Sequence, residues 1–439
     1  MMDWTFHQKD DLSKSINASQ NDVVNMLNTK LIRRMILITL LLLTLEIFVH
    51  SFDLLVYAQP SISDTTLNVE AAVEGLSSPT SMAFLDDNNI LVLEKEGSVR
   101  LVSNGVLQEE PVLQVPVNTE SERGLLGIAV GEDNNSVFLY YTEADPLRNR
   151  VYKYQWNGQS LVNPTLILDL PAEPGPNHDG GKIVIGPDGY LYAVIGDLNH
   201  DGQLQNFPDG PPPDDTGVIF RVNTEDGSPA PDNPFANSGD DLLSKYYAYG
   251  IRNSFGIDFD PLTGNLWDTE NGPASNDEIN LVRPGFNSGW QTVMGPISLS
   301  GDTEEDLVNF PGSHYADPLL SWIERLGPTD IEFFNSPQLG DRYTNNIFVG
   351  DITRGNLYFF EVNENRDGIS PGTAQQQQES GLSDLVVNNE DELSAITFGS
   401  GFGGITDIET GPDGFLYLLS YDEGVIYRIS PTATTNNSN

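Results

Sequence analysis

The sequence predicts an all-β fold, a six-bladed β-propeller of four-stranded antiparallel sheets. Three observations lead there. First, one pattern recurs six times: a short apolar strand, a turn rich in Asp, Asn, Pro and Gly, a second apolar strand, and often a third. Second, apolar and polar residues alternate over four to six positions in each copy, which is the period of a half-buried strand. Third, the repeat region shows no long helical period, and glycine (41) and proline (28) are abundant for a helical chain.

The copies begin near Ser81 (SMAFLDDNNILVLEKEGSVRLV), Gly127 (GIAVGEDNNSVFLYYTEA), Lys182 (KIVIGPDGYLYAVIGD), Gly256 (GIDFDPLTGNLWDTENG), Asp330 (DIEFFNSPQLGDRYTNNIFVGD) and Asp407 (DIETGPDGFLYLLSYDEGVIYRI). Pro-Asp-Gly at 187–189 and 412–414 supplies turns, since proline presets φ and glycine accepts a positive one. Spacing between copies exceeds the ~40–50 residues of a four-stranded blade. The surplus falls in loops at 198–245, 296–329 and 363–396. Ring closure needs a strand from one terminus, and Thr66–Val73 is the expected partner of the last sheet. Gln375–Gln378 reads as a loop tip, and 432–439 as a disordered tail.

Acidic residues outnumber basic ones 64 to 21, for a formal charge of −43. A polyphosphate partner needs a basic surface, so nucleic-acid binding is excluded, as is docking on anionic lipid through a basic patch. There is no cysteine, which removes disulfides, thiolate metal sites and thiol nucleophiles.

Residues 1–58 read as a leader that precedes the propeller, 59–431. Arg33 and Arg34 precede the apolar run Met35–Val49, and Val56-Tyr57-Ala58 offers small or apolar residues at a possible cleavage point. This is an export pattern. The run is shorter than the ~20 residues that span a bilayer. The expectation is a secreted protein, with a membrane anchor over 35–56 as the alternative if the leader stays on.

Four glycine-rich polar segments are where chemistry belongs on such a scaffold. In Pro176-Asn177-His178-Asp179-Gly180-Gly181-Lys182 the two glycines let an imidazole turn into a pocket. Histidine is the natural base near neutral pH, and Asp197, at the return of the same hairpin, can fix its tautomer. The segment Thr269–Glu278 (TENGPASNDE) offers carboxylates and exposed carbonyls suited to calcium; an acidic loop without metal fits its spacing equally. In Tyr249–Gly256 (YGIRNSFG), Arg252 suits a carboxylate or phosphate, or else a salt bridge. Ser121–Gly127 (SERGLLG) adds Glu122 on a glycine-flanked loop.

These segments, in this order, resemble the soluble quinoprotein sugar dehydrogenases of the glucose/sorbosone dehydrogenase family. The stretches that carry the resemblance are ERGLLGIAV, NHDGGKIVIGPDGYLYAVIGD, YGIRNSFGIDFDPLTGNLW, ENGPASNDEINLV with NSGW, and ITDIETGPDGFLYLLSYDEGVIYRI, spanning about Val73 to Ile429. The resemblance implies a six-bladed propeller and a pyrroloquinoline quinone (PQQ) cofactor held by Ca²⁺. It implies oxidation of a sugar's C1 hydroxyl by hydride transfer to the quinone, with electrons passed to an external acceptor. On the matching positions, His178 is the base and Asp197 its support. Arg252, Asn253, Glu122 and Arg354 contact the cofactor. The Gly272 and Pro273 carbonyls hold its calcium, Asp277 and Glu278 bind a neighbouring structural calcium, and Trp322 faces the substrate.

The chain departs from the family pattern at Thr353 and at Gly403-Gly404-Ile405-Thr406-Asp407, where basic residues are usual. A trianionic cofactor loses charge-assisted contacts there, each contributing about 1.5–3 kcal/mol. Two readings follow: an exported quinoprotein that oxidises an aldose or related polyol, or a non-catalytic, calcium-stabilised propeller that binds glycan or protein.

Overall fold

The computed structural model describes residues 59–370 and 382–432. The expected leader 1–58, the Gln375–Gln378 loop tip and the tail beyond Thr432 lie outside the described residues.

Strands dominate the described residues and form six sheets among them. The first holds Pro79–Asp86, Asn89–Glu94, Ser98–Ser103 and Val106–Leu107. The second holds Leu125–Val130, Ser136–Ala144, Leu147–Trp156 and Leu161–Leu170. Ile183–Ile185, Leu191–Ile195, Val218–Val222 and Tyr246–Tyr249 build the third. Ser254–Phe259, Leu266–Glu270, Asp277–Val282 and Leu320–Trp322 build the fourth. The fifth has Pro328–Phe334, Asn346–Asp351, Leu357–Phe360 and Thr397–Ser400. The sixth has Ile405–Thr410, Leu416–Ser420 and Val425–Pro431, completed by Leu67–Glu74 from the start of the described chain. The strand expected at Thr66–Val73 therefore does lie beside the last one. Its antiparallel register runs from Leu67 opposite Pro431 to Glu74 opposite Val425.

Among the described residues four strands form the body of each sheet, as expected. Only the second and sixth sheets stop at four; the others carry added short strands at an edge. The long loops supply most of these: Phe286–Asn287 and His314–Tyr315 join the third sheet, and Val386–Val387 joins the fourth, all in parallel pairings. Pairing consumes backbone N–H and C=O groups that an open edge would leave exposed.

The first strand of each sheet touches the first strand of the next, and Ile405–Thr410 touches Pro79–Asp86, so the sheets close a ring of propeller type. Aspartates stitch consecutive sheets together. The Asp258 carboxylate accepts from the Phe333 N–H at 2.7 Å, and Asp330 from that of Ile408 at 2.7 Å. Asp407 accepts from Met82 N–H at 2.5 Å and from the Ser81 hydroxyl at 2.9 Å, and so spans the junction between the last sheet and the first. Between sheets lie apolar clusters built from the alternating inward residues, such as Trp267, Ile331, Phe333 and Val349. The two Pro-Asp-Gly turns are built alike. Gly189 and Gly414 sit at φ +79° and +80°, and Asp188 and Asp413 each accept from a tyrosine hydroxyl four residues on.

Candidate active site

The strand hairpin Ile183–Ile195 brings His178 and Asp197 to the same end of the third sheet. His178 has φ +65°, a left-handed backbone conformation, followed by Gly180 and Gly181 also at positive φ. The backbones here pack too closely for a side chain at Gly196: a Cβ would lie 2.4 Å from the His178 carbonyl oxygen and 2.5 Å from that of Arg252. That glycine locks three site segments together.

His178 Nδ1 lies 2.6 Å from Asp197 Oδ1, and His178 Nε2 lies 2.9 Å from Arg252 Nη2. A guanidinium can only donate, so Nε2 accepts and the ring proton sits on Nδ1, donated to Asp197. The imidazole thus presents a lone pair at Nε2. Asp197 is nearly inaccessible and is fully engaged: Oδ1 also accepts from Asn199 N–H at 2.7 Å, and Oδ2 from Trp290 Nε1 at 2.6 Å.

Arg252 joins this pair to the next loop. Nη1 donates to the Asn271 carbonyl at 2.7 Å and to that of Gly272 at 3.1 Å, and the guanidinium lies 5.2 Å from the Trp290 ring centre. Burial lowers its pKa, against the pull of Asp197, Glu270 and Glu122. Glu122 Oε2 accepts from His178 N–H at 2.7 Å and from Asn253 Nδ2 at 3.0 Å. Glu122, His178, Arg252, Asn253 and Gly272 therefore meet at one cavity of about 530 Å³.

The charge of that cavity inverts the charge of the protein. Its lining has four basic residues, Lys95, Lys182, Arg252 and Arg325, against one acid, Glu122. The surrounding body, residues 59–439, has 58 acids to 16 bases. Lys182 is countered from below: its ammonium meets Asp330 at 2.9 Å and Asp407 at 2.5 Å. These two hold its pKa well up although burial opposes them. Lys95, Arg325 and Tyr421, together with the positioning residue Trp290, escaped the sequence reading. The available signal was a scarce basic residue just past a strand end and two positions before a glycine, as at Lys95 and Arg325.

Two expected site residues are placed elsewhere. Arg354 is absent from the cavity lining because its guanidinium is held between Glu324 at 2.6 Å and Glu390 at 2.8 Å, pinning the short helix Glu390–Ile396. Trp322 does not face the cavity: it is 1% exposed, packed among Tyr358 and Phe360 inside the fourth and fifth sheets.

The quinone and the calcium fare differently. A cavity of this size with net positive lining fits an anionic, planar heterocycle. The Asn271 and Gly272 carbonyls already converge on a cationic nitrogen, so they suit a positive ion. The two carboxylates do not. Asp277 spends both oxygens on the N–H groups of Gly272, Leu326 and Gly327, and Glu278 accepts from Gly295 N–H and Asn280. Pro273 lies outside the cavity lining. Among the described residues no group of three or more His, Cys, Asp or Glu is disposed to hold a metal.

The family model for glucose/sorbosone dehydrogenase matches residues 76–428. The chain belongs to the glucose/sorbosone dehydrogenase family. It is 26% identical over 378 residues to an aldose sugar dehydrogenase of Escherichia coli K12, covering 83% of this chain and 93% of that one. It is 33% identical over 261 residues to quinoprotein glucose dehydrogenase B of Acinetobacter calcoaceticus, 52% of this chain and 53% of that one. Among solved structures, a putative glucose dehydrogenase of Thermus thermophilus superposes with TM-score 0.65 at 29% identity, covering 83% of this chain and 99% of its own. The PQQ-bound aldose sugar dehydrogenase of Streptomyces coelicolor shares the fold at TM-score 0.62 and 23% identity, over 84% of this chain and 99% of that one. Membership makes the chain one of a family of oxidoreductases that act on sugars, and a small sugar substrate and an electron acceptor go with that chemistry.

Proposed function

We propose that this protein is an exported quinoprotein that oxidises the C1 hydroxyl of an aldose, or a related polyol hydroxyl, and hands the electrons to an external acceptor. Each of the six sheets is read as one blade, with the cavity at one end of the ring. PQQ, when bound, supplies the hydride acceptor. The cavity cations would oppose its carboxylates, and Arg252 and Asn253 are the residues that would hold it. The Asn271 and Gly272 carbonyls are the cavity atoms suited to an accompanying Ca²⁺.

The rest of the chemistry belongs to the chain's own side chains. Asp197 keeps the ring proton on His178 Nδ1 and stabilises the imidazolium that forms when Nε2 takes a proton. Trp290 and Asn199 hold Asp197 so that the imidazole cannot rotate. The substrate hydroxyl must occupy the place of Arg252 Nη2 against Nε2, since both compete for one lone pair. Loss of the hydroxyl proton to Nε2 raises electron density on C1, which favours departure of hydride.

The observation that carries this reading is the Nε2 lone pair of His178 presented beside the cationic cavity, with Nδ1 tied to Asp197. The test is dye reduction by the protein reconstituted with PQQ and Ca²⁺, over a panel of aldoses and polyols. Activity that vanishes in His178→Gln supports it. An unchanged rate in that variant removes the base, and a wild type inert toward every sugar favours the non-catalytic propeller suggested by the uncharged Thr353 and Thr406 in the lining.

A further inference from the structure

We propose that Lys95 and Arg325 form a carboxylate clamp across the cavity, and that they do here what a basic residue at Thr353 or in Gly403–Asp407 would otherwise do. The inference rests on the quinoprotein reading for the identity of the ligand, but its physical basis is independent of it.

In a body this acidic, a cation is normally claimed by a neighbouring carboxylate. Eleven of the sixteen Lys and Arg residues of 59–439 are so claimed. The other five, Lys95, Lys245, Arg252, Arg283 and Arg325, have no Asp or Glu oxygen within 4.0 Å among the described residues. Three of these five line the one cavity already described: Lys95, Arg252 and Arg325. Arg252 is committed to His178 and the 271–272 carbonyls. Lys95 makes one contact, donating to the Ser121 carbonyl at 2.5 Å, which leaves its charge uncancelled. Arg325 carries a planar fork of donors suited to a bidentate carboxylate.

The two residues come from distant parts of the ring. Lys95 follows the strand Asn89–Glu94 of the first sheet, beside Ser121 and Glu122. Arg325 follows Leu320–Trp322 of the fourth, beside Gly327 and Thr353. A ligand that meets both must carry anionic groups at separated points on a rigid frame. An aromatic polycarboxylate is that chemical class, and a neutral sugar is not.

The test measures binding, not turnover. Calorimetric titrations use two probes, PQQ and benzene-1,3,5-tricarboxylate, with wild type, Lys95→Gln, Arg325→Gln, the double variant, and Lys245→Gln and Arg283→Gln as controls for unclaimed cations elsewhere. Each clamp substitution is expected to weaken binding by ~10- to 100-fold, the double variant by more, and the controls not at all. Wild-type binding is expected to weaken with salt. Thermal melting checks that each variant is folded. PQQ binding unchanged in the double variant would overturn the clamp and leave the quinoprotein reading standing. Tricarboxylate binding lost in the variants, with no PQQ binding in wild type, would keep the clamp and remove the quinone. A wild type that binds neither probe overturns the clamp.

Discussion

The indole N–H of Trp290 donates to Asp197 Oδ2 at 2.6 Å, so the carboxylate that orients His178 is itself oriented by a residue 93 positions along the chain. The tautomer of the candidate base therefore depends on the long loop between Asp277–Val282 and Leu320–Trp322 of the fourth sheet. Asp197→Asn keeps the shape but can offer an amide donor to Nδ1, which moves the ring proton to Nε2 and removes the lone pair. Sugar-dependent dye reduction should fall by about 10²- to 10⁴-fold with the melting temperature little changed. Trp290→Phe keeps an aromatic face for Arg252 but loses the charge-assisted donor, and kcat should fall roughly tenfold. Equal activity in both variants and wild type would show that Asp197 does not control the base.

Trp322 and Arg354 are expected to act on stability, not on sugar recognition. Trp322 is buried between sheets, and its indole N–H has no hydrogen-bond partner. Trp322→Phe should therefore be mild, while Trp322→Ala opens a cavity that costs about 3–5 kcal/mol. KM for sugar should be unchanged in Trp322→Phe. Arg354→Ala removes a partly exposed pair of salt bridges and should cost at most about 1 kcal/mol. A raised KM in Trp322→Phe would restore the tryptophan to the substrate site.

Calcium is expected to act at the Asn271 and Gly272 carbonyls. Millimolar Ca²⁺ should raise the melting temperature of the protein, because an ion that binds only the folded state stabilises it by mass action. Excess EDTA should reverse the rise. Melting curves that coincide with and without the ion would remove calcium from the site.

The inner strands make stability depend on pH. Burial pushes Asp258 up to about 6 and Glu409 up to about 8, and raises Glu332, with the neighbouring acids adding to the effect. In the unfolded chain such groups lose their protons near pH 4. Between that pH and about 8 the folded state thus holds more protons than the unfolded one, and stability falls as pH rises through this window. The melting temperature should rise by a few degrees from pH 8 to pH 5.5, and Glu409→Gln should flatten that dependence and raise the value at pH 8. A melting temperature that climbs from pH 5.5 to pH 8 would contradict the assignment.

The sequence carried the repeat and the His178–Asp197 pair because each is local: strand alternation, a Pro-Asp-Gly turn, and a hairpin short enough to return Asp197 beside His178. It also carried the pairing of Leu67–Glu74 with the last strand, since a closed ring needs both ends tied. Lys95 and Arg325 were out of reach because they belong to different sheets, and only ring closure brings them to one cavity. Arg354 and Trp322 were misplaced for a related reason. Each sits within a few residues of a site segment, but strand alternation and a salt bridge to Glu390 turn the side chain away.

Closure of the ring supplies the last prediction. Leu67–Glu74 is the outer strand of the sixth sheet, and its Leu67 and Val73 side chains are buried. Without it, Val425–Pro431 becomes an open edge with unpaired backbone groups, and the cluster of Leu76, Met82 and Ile426 loses the cover of Val73. The loss is not confined to one sheet, since Asp407 of that sheet holds Met82 of the first and helps to neutralise Lys182 beneath the cavity. A chain that starts at Gln59 should melt in a single cooperative transition, whereas one that starts at Gly75 should aggregate or melt at least ~10 °C lower. Adding the peptide 59–74 in trans should recover part of the difference. Two truncations with the same melting curve would mean that the ring holds without its terminal strand.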